Sequence, residues 1–448
     1  MIDINLLLTE RGGNPELVRQ SQVKRGANPE DVDKVIELFG KWTKAQKDLD
    51  NTNRDANAIQ KEIGKKMKAK EDASELVVKK KALEKSKGEF KKLAEETHAQ
   101  WTSILSEIGN IVDPEVPVSL TEDDNKLIRT NPPDGDAPEK RSDFISHHEV
   151  LYRIGGYDQK RGADVAGHRG YFLTGPGVDF NLALVSYGLS FLSKRGYTKL
   201  QTPFFMRKSV MAKTAQLAQF DEELYGVVGD GEDKYLIATS EQPISAFHMG
   251  EKFDQPEKQL PIKYAGYSTC FRKEAGAHGR DTRGIFRVHQ FEKIEQFVLT
   301  QPEKSNEMFD EMIGAAEEFY QSLGIPYRVV AIVSGALNNA AAKKFDLEAW
   351  FPHQGEYKEL VSCSNCTDYQ SRNLNIQCGA KKVEDRKSPF VHLLNCTLCA
   401  TERALCCVLE NYQTPDGVVV PDVLQPFMGG VKFFPYIKSD EEAKRAHK

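Results

Sequence analysis

The residues with most chemical capacity lie in one stretch. Phe271-Arg272-Lys273-Glu274 is followed by a Gly-rich segment ending at Gly284 that carries Arg280 and Arg283. Ile285-Phe286-Arg287-Val288-His289-Gln290-Phe291-Glu292-Lys293-Ile294-Glu295 comes next. Read as strand, loop and returning strand, alternation puts Arg272 and Glu274 on one face. Arg287, His289, Phe291, Lys293 and Glu295 then share a face of the partner strand. One sheet face thus carries cations, an aromatic ring, an imidazole and carboxylates, the material of a polar binding site. An exposed face with cross-strand ion pairs shows the same pattern, and alternation alone favours that plainer alternative.

The eight cysteines pose a second question. Cys363-x-x-Cys366 and Cys396-x-x-Cys399 have the spacing of a structural zinc site. Cys406-Cys407 falls inside a helical pattern and reads as packing. The start of the chain, Met1-Ile2-Asp3-Ile4-Asn5, has neither export-signal nor transit-peptide character, so the thiols are expected to stay reduced. No window approaches the roughly 18 uncharged apolar residues of a membrane span. With 40% apolar and 28% charged side chains, wholesale disorder is excluded, and 448 residues allow two or three domains. The expected class is a soluble, intracellular, multidomain protein.

The elements that must position these residues divide the chain. From 29 to about 68, Val35, Leu38, Trp42, Ala45, Leu49, Thr52, Ala56, Ile59 and Ile63 recur at alternating steps of three and four, a coiled-coil seam. Asn28 is placed to cap this helix and Pro29 to start it. A second helix is predicted over about 73–108, with Leu76, Leu83, Phe90, Thr97 and Ile104 seven apart and Leu93, Trp101 and Ile108 beside them. Asp72 and Glu75 read as its capping box, and Gly109-Asn110 with Pro114 as its stop. So short a link between long helices predicts an antiparallel hairpin. The chain as a whole carries 61 basic and 66 acidic residues, yet residues 61–92 hold 12 Lys against 6 acids. Such a local excess suits a polyanion, although a solvated Lys-rich helix face has the same composition.

Residues 111–142, rich in Pro and acidic pairs, read as a connector. From 143 to 448, strands near 198–203, 263–271, 285–299, 327–333, 348–351 and 357–363 alternate with helices near 182–195, 209–219, 240–250, 303–322 and 399–412. Mostly non-crossover strands among helices predict an α+β domain on an antiparallel sheet. The expected division is therefore a helical arm at 1–110, a connector and a body at 143–448.

The hairpin around Arg272 resembles motif 2 of class II aminoacyl-tRNA synthetases: Arg-x-Glu, a variable loop, then an Arg and an aromatic. Pro203, after the helix 182–195, matches the motif 1 proline. Asn395-Cys396-Thr397-Leu398-Cys399-Ala400-Thr401-Glu402-Arg403 and the following helix match motif 3. Thr239-Ser240-Glu241, Val288-His289-Gln290-Phe291 and Glu359-Leu360-Val361-Ser362-Cys363-Ser364-Asn365-Cys366, with the N-terminal arm, resemble the seryl-tRNA synthetase family in its cytosolic eukaryotic type. The likeness runs in order from Met1 to about Phe434.

The resemblance implies a ligase that activates L-serine with ATP and transfers it to the serine tRNA, and to the selenocysteine tRNA where one exists, releasing AMP and diphosphate. Arg272 would hold the α-phosphate, Glu274 the adenine amino group and Arg403 the γ-phosphate, with Phe291 stacked on the ring. Lys273, Arg287, Val288, His289, Gln290, Leu360 and Val361 complete the implied ATP site. Glu359 and Ser362 would bind Mg²⁺, which favours hard oxygens. Serine would meet Thr239, Glu241, Arg272, Glu295, Asn395 and Thr397. Thr239 and Asn395 also suit plain helix caps. The family implies no zinc at the cysteine pairs, a homodimer built on motif 1, and a cytoplasmic enzyme whose Lys-rich arm binds tRNA. Two rivals predict otherwise. An interaction protein with a degenerate body would have broken motifs, and a relative serving a non-tRNA acceptor would lack the arm.

Overall fold

In the first of two units, Met1–Ile111, α1 (Pro15–Lys24) precedes the long helices α2 (Glu30–Lys68) and α3 (Ser74–Glu107). At 1.5 Å per residue, α2 spans roughly 58 Å. The computed structural model describes residues 1–133, 138–214, 223–229, 231–274, 283–379 and 389–446. The α2–α3 hairpin buries Val35, Ala45, Thr52, Ala56 and Ile63 of the predicted seam against Ala94, Thr97, Trp101 and Leu105. Two details differ from the heptad reading. Phe39 is more deeply buried than Leu38, because its ring meets Trp101 edge-on at 5.4 Å. Leu93 is exposed while Ala94 is buried, since the smaller side chain permits close approach at the seam. The caps also shift. Asn28 Oδ1 accepts from Glu30 N at 3.1 Å, while Asp72 accepts from Ser74 N at 2.9 Å rather than forming the box with Glu75.

The second unit, Val112–Lys448, is organised on one eight-stranded sheet. Its strands are β1 (Lys126–Asn131), β2 (Thr198–Gln201), β3 (Ile262–Phe271), β4 (Gln290–Thr300), β5 (Tyr327–Ala331), β6 (Lys343–Phe351), β7 (Glu356–Asn365) and β8 (His392–Ala400). They lie in the order β1-β5-β6-β7-β8-β4-β3-β2. Every neighbouring pair is antiparallel except β2 with β3. Within 111–142, which the sequence presents as a connector, Lys126–Asn131 pairs with β5 as an edge strand. Only six residues, mostly polar, make that strand, and an edge position needs no apolar face.

Helices α4 (Pro176–Ser193), α5 (Ser305–Ser322) and α6 (Thr401–Tyr412) pack on the sheet. Alternation along β4 explains what each face becomes. Ile294 and Val298 join Phe309, Met312 and Phe319 of α5 in the main core, and Gln296 donates to the Met312 carbonyl at 3.0 Å. Phe291, Lys293 and Glu295 point the other way. Farther along that face, Phe297 and Leu299 are apolar and join Ile244, Phe253 and Leu374 in a second core. The sheet's open face thus changes from oily to polar at Glu295.

Candidate active site

The polar half of that face forms the wall of a cavity of about 310 Å³. All its lining residues belong to the second unit and come from β4, β6, β7, β8, the start of α6, Asn338 and the segments beside Thr239 and Arg272. Glu295 sits at its floor, 1% exposed, opposite Gly266 on β3 and Thr397 on β8. A Cβ at Gly266 would lie 2.3 Å from Ile244 Cδ1 and 3.1 Å from Ser240 Oγ, so glycine leaves room for the helix Glu241–Phe247 to pack beside the floor, where Thr239 and Glu241 line the cavity. Glu295 pairs with Lys293 at 2.5 Å and accepts from Thr397 Oγ1 at 3.3 Å and Thr239 Oγ1 at 3.5 Å. Glu241 accepts from Gln370 at 2.9 Å. Burial raises its pKa, aided by the nearby Glu295 charge.

Above this floor stand the cations. Arg272 donates from Nε to the Ala238 carbonyl at 3.2 Å and lies 5.2 Å from the Phe291 ring centre. Glu274, two residues on, has a φ of 50°, a left-handed conformation uncommon for a non-glycine residue. Its Oε2 accepts from Arg287 at 3.0 Å. Arg403, in the first turn of α6, packs over Phe286 at 5.1 Å and stands 3.7 Å from Glu359. Burial alone would raise the Glu359 pKa, but Arg403, Lys344, Arg272 and Lys293 together bring it below the usual carboxylate range. Burial lowers that of Arg403, against the pull of Glu359.

Glu359 and Ser362 share one strand at the cavity edge, which gives a carboxylate and a hydroxyl but no closed ligand cage. Asp346 of β6 pairs directly with Ser362, and its Oδ1 is buried without a hydrogen-bond partner among the described residues. Burial, countered by Lys344, pushes its carboxyl up to about 7. Few protein oxygens beside an open, phosphate-sized space fit Mg²⁺, which retains waters and binds through phosphates. The cysteine pairs lie elsewhere. Cys363 and Cys396 face each other on the core side, with sulfur contacts to the Phe309 and Met312 carbonyls at 3.9 and 3.7 Å. Cys366 instead reaches toward Asn395 at 3.8 Å. Among the described residues no group of three or more His, Cys, Asp or Glu is gathered as a metal site.

The cavity therefore brings together Thr239, Glu241, Arg272, Glu274, Arg287, Val288, Phe291, Glu295, Glu359, Leu360, Ser362, Asn395, Thr397 and Arg403. Lys273 and Val361 are outside its wall, since alternation turns Val361 into the core. His289 and Gln290 border a neighbouring cavity instead. Residues 285–289 are not strand, so the predicted face breaks before Gln290. The His289 ring turns to the Arg272 carbonyl at 3.0 Å. Arg283 is exposed. Arg280, most of the Gly-rich segment and the later part of the helix expected at 209–219 lie outside the described residues; Lys208–Met211 is helical. Sequence reasoning misses Asn338, Lys344, Ser364 and Glu402 as wall residues. Ser364 is recoverable by stepping two residues on from Ser362. The register between β6 and β7 that brings in Lys344 is not.

Comparison with known proteins shows the family. The family model described as the seryl-tRNA synthetase N-terminal domain matches residues 1–112, and that of the tRNA synthetase class II core domain (G, H, P, S and T) matches 225–412. The cytoplasmic serine–tRNA ligase of Schizosaccharomyces pombe is 65% identical over 438 residues, covering 98% of this chain and 97% of its own. The crystal structure of the cytoplasmic serine–tRNA ligase of Naegleria fowleri in complex with AMP is 52% identical. Its TM-score is 0.85, over 98% of this chain and 99% of its own. The seryl-tRNA synthetase of Pyrococcus horikoshii complexed with ATP has a TM-score of 0.86 at 38% identity, over 98% and 100% of the two chains. From its arm to its motif 3 helix, the chain belongs to the seryl-tRNA synthetase family of class II aminoacyl-tRNA synthetases.

Proposed function

We propose that this chain is a cytoplasmic ligase that joins L-serine to the serine tRNA through seryl-adenylate. The observation that carries the reading is a carboxylate floor, buried Glu295 with part-buried Glu241, lining one cavity with the guanidinium groups of Arg272 and Arg403. An amino acid's ammonium would bind at the first, and a nucleotide's phosphates at the second. A serine carboxylate oxygen then attacks the α-phosphorus of ATP, and the bond to the bridging oxygen breaks as pyrophosphate leaves. Arg272 stabilises the charge that builds on the α-phosphate, Arg403 holds the bent triphosphate, and the Phe291 ring and Glu274 take the adenine. Glu359 and Ser362 would hold Mg²⁺, which supplies further neutralisation of the phosphates. Little covalent work is left to the protein, so positioning dominates.

Thr397 and Asn395 suit recognition of the substrate hydroxyl, because an alanine methyl would leave buried polar atoms unpaired. ATP–pyrophosphate exchange tested across the amino acids is therefore expected to respond to serine, with alanine about 10⁴-fold weaker in kcat/KM. Exchange driven equally well by another amino acid would overturn the reading. We further propose a homodimer through α4 and β2, the motif 1 elements. β2 is an edge strand, and Val178 and Leu182 leave apolar surface exposed on α4. A two-fold pairing would cover both with the same patch of a second copy. Light scattering at micromolar concentration is expected to give a dimer, and a monomer would exclude it.

A further inference from the structure

We propose that Glu402 is a positioning residue carried as a neutral carboxylic acid, tying the start of α6 to β4 and to Tyr171 beside the proposed nucleotide site. The inference rests on the adenylation reading above. Glu402 is 3% exposed. Its Oε2 accepts from Glu292 N at 3.0 Å and from Thr401 Oγ1 at 2.9 Å. Its Oε1 lies 2.9 Å from the Tyr171 hydroxyl, which in turn lies 3.0 Å from the Gln290 carbonyl oxygen.

A phenol has one hydrogen to give. If Glu402 were ionised, its Oε1 and the Gln290 carbonyl would compete for that hydrogen, and one short contact would have none. With a proton on Oε1, Glu402 donates to Tyr171 and Tyr171 donates to Gln290. Both contacts of Tyr171 then have their own hydrogen, while the Thr401 hydroxyl, 2.9 Å from Glu402 Oε2 and 3.3 Å from the Glu292 carbonyl oxygen, gives its one hydrogen to the nearer Oε2.

The surroundings favour the same assignment. Among the described residues no cation lies within ion-pair distance of Glu402. The adjacent Arg403 turns to Glu359. The carboxylate of Glu292 is already bonded by Tyr267 and by Asn181 at 2.5 Å. Cys399 and Cys406 face this region from β8 and α6, and Arg169, His289 and Tyr225 share the wall of the neighbouring cavity. Burial pushes the Glu402 carboxyl up to about 7, against the hydrogen bonds from Glu292, Tyr171 and Thr401.

The consequence concerns Phe291. Glu402 holds the residue after it directly, through Glu292 N, and the residue before it through Tyr171 and Gln290. Phe291 is the ring against which Arg272 packs, and Arg403 follows Glu402 in the chain. A neutral strap fixes these groups without adding negative charge next to a triphosphate. A carboxylate there would repel it.

The test is serine-dependent ATP–pyrophosphate exchange with full-length Glu402→Gln and Glu402→Ala, titrating ATP from pH 6 to 9. Glutamine offers one acceptor and one donor in the same outline, so at pH 6 its ATP KM is expected within about threefold of the parent. Above pH 7 the parent acid ionises and its ATP KM climbs, whereas the glutamine variant stays level. Alanine is expected to raise the ATP KM about tenfold or more at every pH, through the lost bonds to Glu292 and Tyr171. Infrared difference spectra should show a protonated-carboxyl band in the parent at pH 6 that is absent from Glu402→Gln. Coincident pH profiles without that band, or a glutamine variant as impaired as alanine, would overturn the proposal. Arg272→Ala serves as the parallel control. If it retains exchange, the adenylation reading is what fails, while the infrared band still decides where the proton sits.

Discussion

Arg272→Ala is expected to lower serine-dependent ATP–pyrophosphate exchange by about 10³- to 10⁵-fold, the range seen when a guanidinium acting on a transferring phosphoryl group is supplied or withheld. The geometry explains why so much rests on one side chain. Its Nε is committed to the Ala238 carbonyl at 3.2 Å and its face to the Phe291 ring. The two terminal nitrogens are therefore pre-aimed, and no reorganisation is needed as charge develops. Arg403 cannot substitute, because Glu359, 3.7 Å away, holds it at another part of the wall. Arg272→Lys is expected to recover only part of the loss, since an ammonium keeps the charge but not the planar fork. Circular dichroism and melting temperature should be close to the parent's in both variants, as the hydrogen bond lost at Ala238 is worth only about 1 kcal/mol. Exchange unchanged in Arg272→Ala would remove the cavity from the chemistry.

Much of this site is legible in the amino-acid sequence because its residues recur at strand spacing. Phe291, Lys293 and Glu295 follow the period of two along β4, and Asn395 and Thr397 do the same along β8. Their common face follows from local backbone geometry. The residues that spacing leaves hidden depend on partners distant in the chain. Lys344 enters the wall only because β6 pairs with β7 in a register that also sets Asp346 opposite Ser362. Glu402 stands inside motif 3, but its use depends on Tyr171, 231 residues away. His289 departs from the alternation for a local reason. The chain is not yet strand at that point, so its ring turns to the Arg272 carbonyl and away from the cavity. In the arm the same contrast holds. The heptad spacing locates the seam, yet the choice of Phe39 over Leu38 and Ala94 over Leu93 is made by how closely two helices with bulky Trp101 between them can approach.

Removal of residues 30–108 is expected to separate the two half-reactions, leaving serine activation within about an order of magnitude while transfer to tRNA collapses. The chain is suited to the excision. Gln22 Oε1 accepts from Gly109 N at 3.1 Å and Arg25 donates to the Asn110 carbonyl at 2.9 Å, so residues on either side of the cut are already held together. Activation should survive because every residue lining the active-site cavity belongs to the other unit. Transfer should fail because the arm carries the charge a polyanion requires. Of the 12 Lys between 61 and 92, only Lys91 and Lys92 lie within ion-pair distance of a carboxylate among the described residues, at 3.8 Å from Glu95 and Glu96. The others have no carboxylate that close among those residues, and most are exposed. Contacts of this kind make affinity fall steeply with salt, roughly in proportion to the number of phosphates met, and recognition by shape and backbone follows because A-form grooves hide base edges. A milder variant controls for misfolding. Lys79→Glu with Lys80→Glu and Lys81→Glu keeps the hairpin and its seam, and should weaken tRNA binding and flatten its salt dependence without changing exchange. A dimeric, arm-less protein that charges serine tRNA with undiminished kcat/KM would return the Lys-rich helices to the plainer alternative, a solvated hairpin whose charge serves solubility alone.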